Sequence, residues 1–362
     1  MIRVNWKHLA IGLAILPFAA VFVAWIGFFN VGASTGHWKI TEWFLHFAMR
    51  SAVRTYSLAV DAPETLPREG VQAAAGHYAR GCAVCHGAPG ERRSAAVREM
   101  LPQPPDLQEV LAGDKWNDAE LFRIVKHGVR FTGMPAWPTQ NRDDEVWAMV
   151  AFLRNLPGMD AGTYRDLAYG HDRRPDPTGF HDDFDAALAD CARCHGEDGM
   201  GRGEAVPILS GQRVDYLFAA LEAYAADTRA SGVMQLAASE TDPRLYRRLA
   251  EHYAEMPRTG TDRDDADAAL AARGREIARR GIPERDVPAC VTCHDRPDRN
   301  PVFPSLDGQK RYYLEEQLRL FAEDKRGGTP FRELMAKVAK GLEEADIEAL
   351  AAYFSGRSDT RR

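Results

Sequence analysis

The longest apolar stretch runs from Leu9 to Phe29, 21 residues without a charge, which matches the ~20 that a helix needs to cross the hydrocarbon core of a bilayer. Arg3 and Lys7 precede it, so the positive-inside rule leaves its start in the cytoplasm and sends everything after Asn30 outward. Trp6 on one side and Trp25, Phe28 and Phe29 on the other fall where aromatic rings gather at membrane interfaces. A cleavable signal peptide is the alternative, with small residues at Val31-Gly32-Ala33. Its apolar core would normally be roughly 7–15 residues, so a retained single-pass signal-anchor is the expectation. The stretch His37 to Arg54 then interleaves Trp38, Ile40, Trp43, Phe44, Phe47, Ala48 and Val53 with Lys39, Glu42, Arg50 and Arg54. An interfacial amphipathic helix and a helix packed on the first soluble unit both fit this pattern.

Beyond it, helical periodicity dominates. Asn117 followed three positions later by Glu120 predicts a capping box and a helix to about His127. Val146, Met149, Val150 and Leu153 recur at i, i+3, i+4 and i+7 and predict the closing helix of a first unit. Leu245 to Tyr253 should close a second unit, and Ile347, Leu350, Ala351 and Phe354 a third. Strand-type alternation is scarce, so the expected class is all-α, with one transmembrane helix ahead of three tandem helical units. Each unit is too small and loop-rich to build a large side-chain core of its own. Pro175 and Pro177, inside the polar stretch Tyr169 to Asp183, predict a linker, and Arg258 to Asp267 a second boundary. The division expected is 1–36 anchor, 37–62 amphipathic connecting helix, 63–160 first unit, 161–182 linker, 183–258 second unit and 259–362 third unit.

The 362 residues are 45% hydrophobic and 27% charged, an ordinary globular balance. A net charge of −6 from 46 basic and 52 acidic residues gives no concentrated basic face, and a nucleic-acid partner is set aside. Cysteine changes the picture. All six lie in three copies of one pattern: Cys82-Ala-Val-Cys85-His86, Cys191-Ala-Arg-Cys194-His195 and Cys290-Val-Thr-Cys293-His294. Their starts are 109 and 99 positions apart, a domain-sized period. Pro207, Leu209, Gly211, Gln212, Tyr216 and Arg229 also recur 97 positions later as Pro304, Leu306, Gly308, Gln309, Tyr313 and Arg326. The second and third units are therefore a tandem duplication, and the first, which lacks this signature, belongs to another branch.

On a helical turn, residues i and i+3 share a face, so both thiols of each motif can reach one edge of a planar macrocycle. The following His is turned by about 100° and can bring an imidazole under the metal. The pattern therefore predicts covalent haem c at each motif, held by thioethers from Cys82, Cys85, Cys191, Cys194, Cys290 and Cys293, with His86, His195 and His294 on the iron. A redox dithiol needs no such His, and zinc sites bring cysteine pairs together rather than isolating them.

A Met thioether is the expected sixth ligand, raising the potential and closing the iron. In the first unit the Gly133-Met134-Pro135 bend favours Met134 over Met100, Met149 and Met159, with Met149 on a core stripe. In the third, Met335 is the only methionine after Cys290. In the second, Met234 aligns with Met335 across a four-residue gap, whereas Met200 lies five residues from His195 and Met256 follows the closing helix. His77, His127 and His252 remain less well placed alternatives. The carbonyls of Pro104 or Pro105, Pro207 and Pro304 are candidates to hold the proximal imidazoles.

These motifs resemble class I c-type cytochromes. Gly81-Cys82-Ala-Val-Cys85-His86-Gly87 with Gly133-Met134-Pro135 is similar to membrane-bound mono-haem domains, and the two later units resemble the tandem domains of di-haem cytochromes c. Asp295 departs from the pattern, standing where the other motifs have Gly87 and Gly196. The resemblance implies a small helical fold around each of three haems and a role in carrying electrons. The expected partners are redox proteins: a dehydrogenase, a quinol-oxidising complex, an oxidase or a soluble cytochrome. The expected place is the inner membrane, with the haem units periplasmic. Two further readings are the cytochrome subunit of a multi-subunit dehydrogenase and a haem enzyme with one open iron. No dinucleotide or phosphate-binding fingerprint and no separate catalytic constellation supports an independent active site. The second unit, 181–258, holds 14 acidic and 8 basic residues, an acidic surplus to which a basic partner could be steered.

Overall fold

The computed structural model of the chain describes residues 6–27, 32, 34–170, 180–258, 268–295, 300–328 and 330–357. Among them there is no strand, and the helices run as α1 (Trp6–Trp25), α2 (Lys39–Ser57), α3 (Val71–His77), α4 (Ala83–His86), α5 (Ala95–Arg98), α6 (Leu107–Val110), α7 (Asp118–His127), α8 (Asp143–Asn155), α9 (Ala161–Tyr169), α10 (Phe184–His195), α11 (Val214–Ala225), α12 (Gly232–Ser239), α13 (Tyr246–Glu255), α14 (Ala268–Arg280), α15 (Val291–His294), α16 (Arg311–Ala322), α17 (Arg332–Lys340) and α18 (Glu344–Ser355). Of these, α1 is the one helix long and apolar enough to cross a membrane, and none of its residues is buried.

Three small cores follow. In the first, α3 packs on α8 and α9, and Tyr78 meets Phe152 at 5.1 Å and Tyr164 edge-on at 6.3 Å. The capping box of α7 forms as expected: Asn117 accepts from the Glu120 N–H and Glu120 from the Asn117 N–H, each at 2.9 Å. Tyr216, Leu217, Ala250 and Tyr253 centre the second core, and Ile277, Leu314, Leu350 and Phe354 the third.

One element differs from the sequence expectation. Residues 161–169, assigned to a linker, form α9. Tyr164 and Ala168 are fully buried there, so the first core needs this helix. The signal was present, because Asp160 caps α9 and Gly170 ends it at φ 88°. Residues 171–179 and most of the second boundary, 259–267, lie outside the described residues. In the third unit α14 stops at Arg280, and a short turn at Pro283–Arg285 separates it from the one-turn helix α15 that carries the motif. In the second unit a single helix, α10, does both jobs.

The joints between units are built from buried charge and amide groups. Arg193 of α10 donates to the Gly76 carbonyl at 2.9 Å and the Ala168 carbonyl at 3.3 Å, and Gln72 donates back to the Arg193 carbonyl at 3.3 Å. Arg80 of the first unit reaches Asp190 and Glu240 of the second, each at 2.6 Å. Part of the second unit's acidic surplus is thus neutralised within the chain. Between the second and third units the contacts come in exchanged pairs. Gln212 donates to the Ser305 carbonyl at 2.9 Å and Gln309 to the Ile208 carbonyl at 3.0 Å. Arg229 reaches the Tyr313 hydroxyl and Arg326 the Tyr216 hydroxyl, each at 3.1 Å. Swapped partners of this kind mark an approximate two-fold axis, and they account for the duplicated Gln and Arg positions.

Candidate haem sites

Each Cys-x-x-Cys-His motif ends a helical segment. In the first unit α3 runs on through a π turn, Tyr78–Cys82, into α4, a local widening of the kind often found at functional sites. The Tyr78 hydroxyl donates to the Gly87 carbonyl at 2.6 Å and ties down the end of the motif. Gly87 and Gly196 leave their helices at φ 76° and 79°, a region in which side chains are strained. Asp295 sits at φ −86°, where no glycine is required, and pairs with Arg357 at 3.1 Å. That is the physical content of its departure from the pattern.

All three motif histidines meet a proline carbonyl. His86 Nδ1 lies 2.9 Å from Pro105 O, His195 Nδ1 3.1 Å from Pro207 O, and His294 Nδ1 2.9 Å from Pro304 O. In the first unit it is Pro105 that meets the ring, while Pro104 accepts from Arg93. A donor at Nδ1 leaves the Nε2 lone pair for a metal and fixes the ring's orientation. Burial lowers the pKa of all three imidazoles, that of His195 to about 4, so the neutral, ligating form prevails at neutral pH. Several of the motif thiols are poorly suited to dithiol exchange, which needs the thiolate. Burial pushes Cys82 and Cys191 up to about 12 and Cys290 to about 11, and none of the six forms a disulfide.

One continuous cavity serves the second and third units. Cys191, Cys194, His195 and Met234 line it together with Cys290, Cys293, His294 and Met335. Met200 is engaged elsewhere, its sulfur lying 3.2 Å from the Ser210 hydroxyl, and Met256 packs on the second core. In the first unit Met149 is 1% exposed in the core and Met159 packs against it. Met134 stands on a loop held by its own backbone, with its N–H donating to the Thr132 hydroxyl at 3.1 Å and its carbonyl accepting from Val129. Gly128, at φ 63°, permits that loop, since a Cβ there would lie 2.6 Å from the Met134 carbonyl. His252 packs against Phe184 and Tyr253, and His77 packs against Trp137 at 4.4 Å while also lining the cavity wall.

The cavity walls fit haem in a further way. Arg229 and Arg326 are 3% and 7% exposed, and their hydrogen-bond partners are neutral phenols and Gln317. Two buried guanidinium charges with only neutral partners suit a group that brings carboxylates of its own, as haem does with its propionates. The Tyr253 hydroxyl, also in the wall, is buried without a partner.

Some wall residues carry no signal in the motifs. Glu145 of the first unit accepts from the Ser231 hydroxyl at 2.6 Å and the Gly232 N–H at 2.7 Å, holding the start of the helix that bears Met234. Trp137 lies against Gly232 from the same side. These contacts cross between units and could be found only after the fold.

Helical units, an apolar cavity lined by two of the motifs and motif histidines held by proline carbonyls define a haem-binding electron carrier. The chain belongs to the c-type cytochromes. The profile described as cytochrome c oxidase, cbb3-type, subunit III matches residues 69–153, within the first unit. The thiosulfate dehydrogenase electron acceptor of Thiomonas intermedia is 33% identical over 47% of this chain and 79% of that protein. The cytochrome c4 of Stutzerimonas stutzeri is 33% identical over 47% of this chain and 85% of that protein. The solved structure of reduced recombinant cytochrome c4 from Pseudomonas stutzeri is 28% identical, covering 50% of this chain and all of that one, with a TM-score of 0.44. Members of the family carry haem c through Cys-x-x-Cys-His and transfer electrons, and this chain has three such motifs.

Proposed function

We propose that the chain is a tri-haem electron relay, tethered to the inner membrane by α1, with its haem units in the periplasm. The observation that carries this reading is the repeated geometry at Pro105, Pro207 and Pro304, which prepares three imidazoles alike for iron. Haem iron supplies reversible one-electron exchange. The protein would supply the rest: the motif cysteines would fix the haems in place, and His86, His195 and His294 with Met134, Met234 and Met335 would hold the irons. Irons held in this way would exchange electrons without taking substrate, so that these residues would tune potential rather than break bonds.

A redox titration of the haem-loaded protein, with spectra at each potential, tests this reading. Three low-spin Met–His haems per chain are expected. A high-spin haem that binds small ligands when reduced would overturn it in favour of a haem enzyme.

The name of the Thiomonas relative, an electron acceptor of a dehydrogenase, supports a second statement. The donor to this chain is a periplasmic dehydrogenase, and the chain acts as its cytochrome partner. Reduction of the purified chain by such an enzyme, faster than by a small-molecule reductant at equal driving force, is the outcome expected.

A further inference from the structure

Helix α2 packs on the protein through its second half, while residues 42–48 of its first half are exposed. Met49 and Val53 pack against the first core and Ser57 is buried. Arg54 reaches Glu120 at 3.6 Å, and Arg123 lies over the Tyr56 ring at 4.9 Å. Roughly 130° around the helix from that face, at ~100° per residue, Ile40, Trp43, Phe44 and Phe47 follow the i, i+3, i+4, i+7 spacing. They are 67%, 61%, 57% and 56% exposed, with Trp38 just ahead at 82%. The rings of Trp43 and Phe47 stack at 5.7 Å and 8°, which makes the stripe a flat plate. Single exposed apolar residues are ordinary, but a contiguous aromatic stripe marks a surface with a partner.

We propose that this stripe lies in the interfacial layer of the membrane, so that α2 holds the first unit down against lipid. The inference rests on the retained-anchor reading of α1. Connectivity argues for lipid, since only residues 26–38 separate the span-length α1 from α2, and the stripe is therefore delivered close to the bilayer surface. Composition argues the same way, because Trp and Phe are the side chains that settle at headgroup depth. Lys39 and Arg50 share the helix and can meet anionic headgroups. The helix, whose sequence fits both an interfacial and a core-packed role, thus takes both, one in each half.

The test uses the haem-loaded full chain in phosphatidylcholine–phosphatidylglycerol vesicles, with a protease site inserted at Ser34-Thr35-Gly36. The uncut chain should float with the vesicles; if it does not, the anchor reading and this inference fall together. After cleavage the haem-bearing fragment should stay bound. In a Trp43→Glu, Phe47→Glu chain it should bind at least about tenfold more weakly, with the haem spectrum unchanged. A wild-type fragment that leaves the vesicles as readily as the variant would overturn the inference while leaving the anchor intact. Release as a dimer would overturn it too, assigning the stripe to a second copy of the chain.

Discussion

Thioether and guanidinium side chains line the second and third sites, and they are legible to different degrees. Met234 is the candidate ligand to which the alignment of the repeats points, since ligand spacing survives duplication. Its replacement tests the assignment: Met234→Ala should leave one haem per chain high-spin and open to carbon monoxide when reduced. Met200→Ala should not, because the Met200 sulfur already faces Ser210. Arg229 and Arg326 also stood out as recurrences, but their role was hidden, since each reaches a phenol of the other unit. A buried positive charge beside haem favours the reduced, less positive iron. Arg229→Gln and Arg326→Gln should therefore each lower at least one midpoint potential in the redox titration, leaving the low-spin spectra in place.

Helices were readable where local chemistry decides them and misread where burial does. The Asn117–Glu120 box placed α7 to the residue, and the apolar spacing of Val146 to Leu153 placed α8. The cap at Asp160 was overlooked because the prolines that follow suggested a linker, and only the contact with α3 shows that α9 completes a core. The crossing of α14 and α18 was equally illegible, since it depends on one glycine. A Cβ on Gly274 would lie 1.9 Å from the Ala349 carbonyl and 2.9 Å from the Tyr353 Cβ. Neither is the far end of a flexible chain, so the helices must separate. Gly274→Ala should destabilise the third unit by about 3 kcal/mol, at the upper end for overpacking. Denaturant unfolding followed in the far ultraviolet should show a lowered midpoint for that unit.

At the scale of the whole chain, the number of units was written in the cysteines, and their order in space was not. The second unit touches both of the others, and Asp144 of the first unit also lies close to Tyr312 and Glu316 of the third. Its motif helix α10 is gripped by Arg193 contacts to the first unit, while Gln212 and Gln309 bind it to the third. Gly76 stands at the first of these joints, where a Cβ would lie 2.9 Å from the Cys194 sulfur. Six residues further along the same helical run is Cys82, a rise of about 9 Å at ~1.5 Å per residue. The attachment positions of the first and second haems would therefore lie close together along one short helix, and electron exchange between these two haems is expected across this joint. Gly76→Ala must displace the Cys194 sulfur, and α10 with it where a thioether would hold that sulfur, at a cost of about 1–3 kcal/mol. If the path runs through this joint, electron exchange between the first and second haems after photoreduction should slow, while exchange between the second and third and all midpoint potentials stay as they were. Equal slowing of both steps would place the route elsewhere.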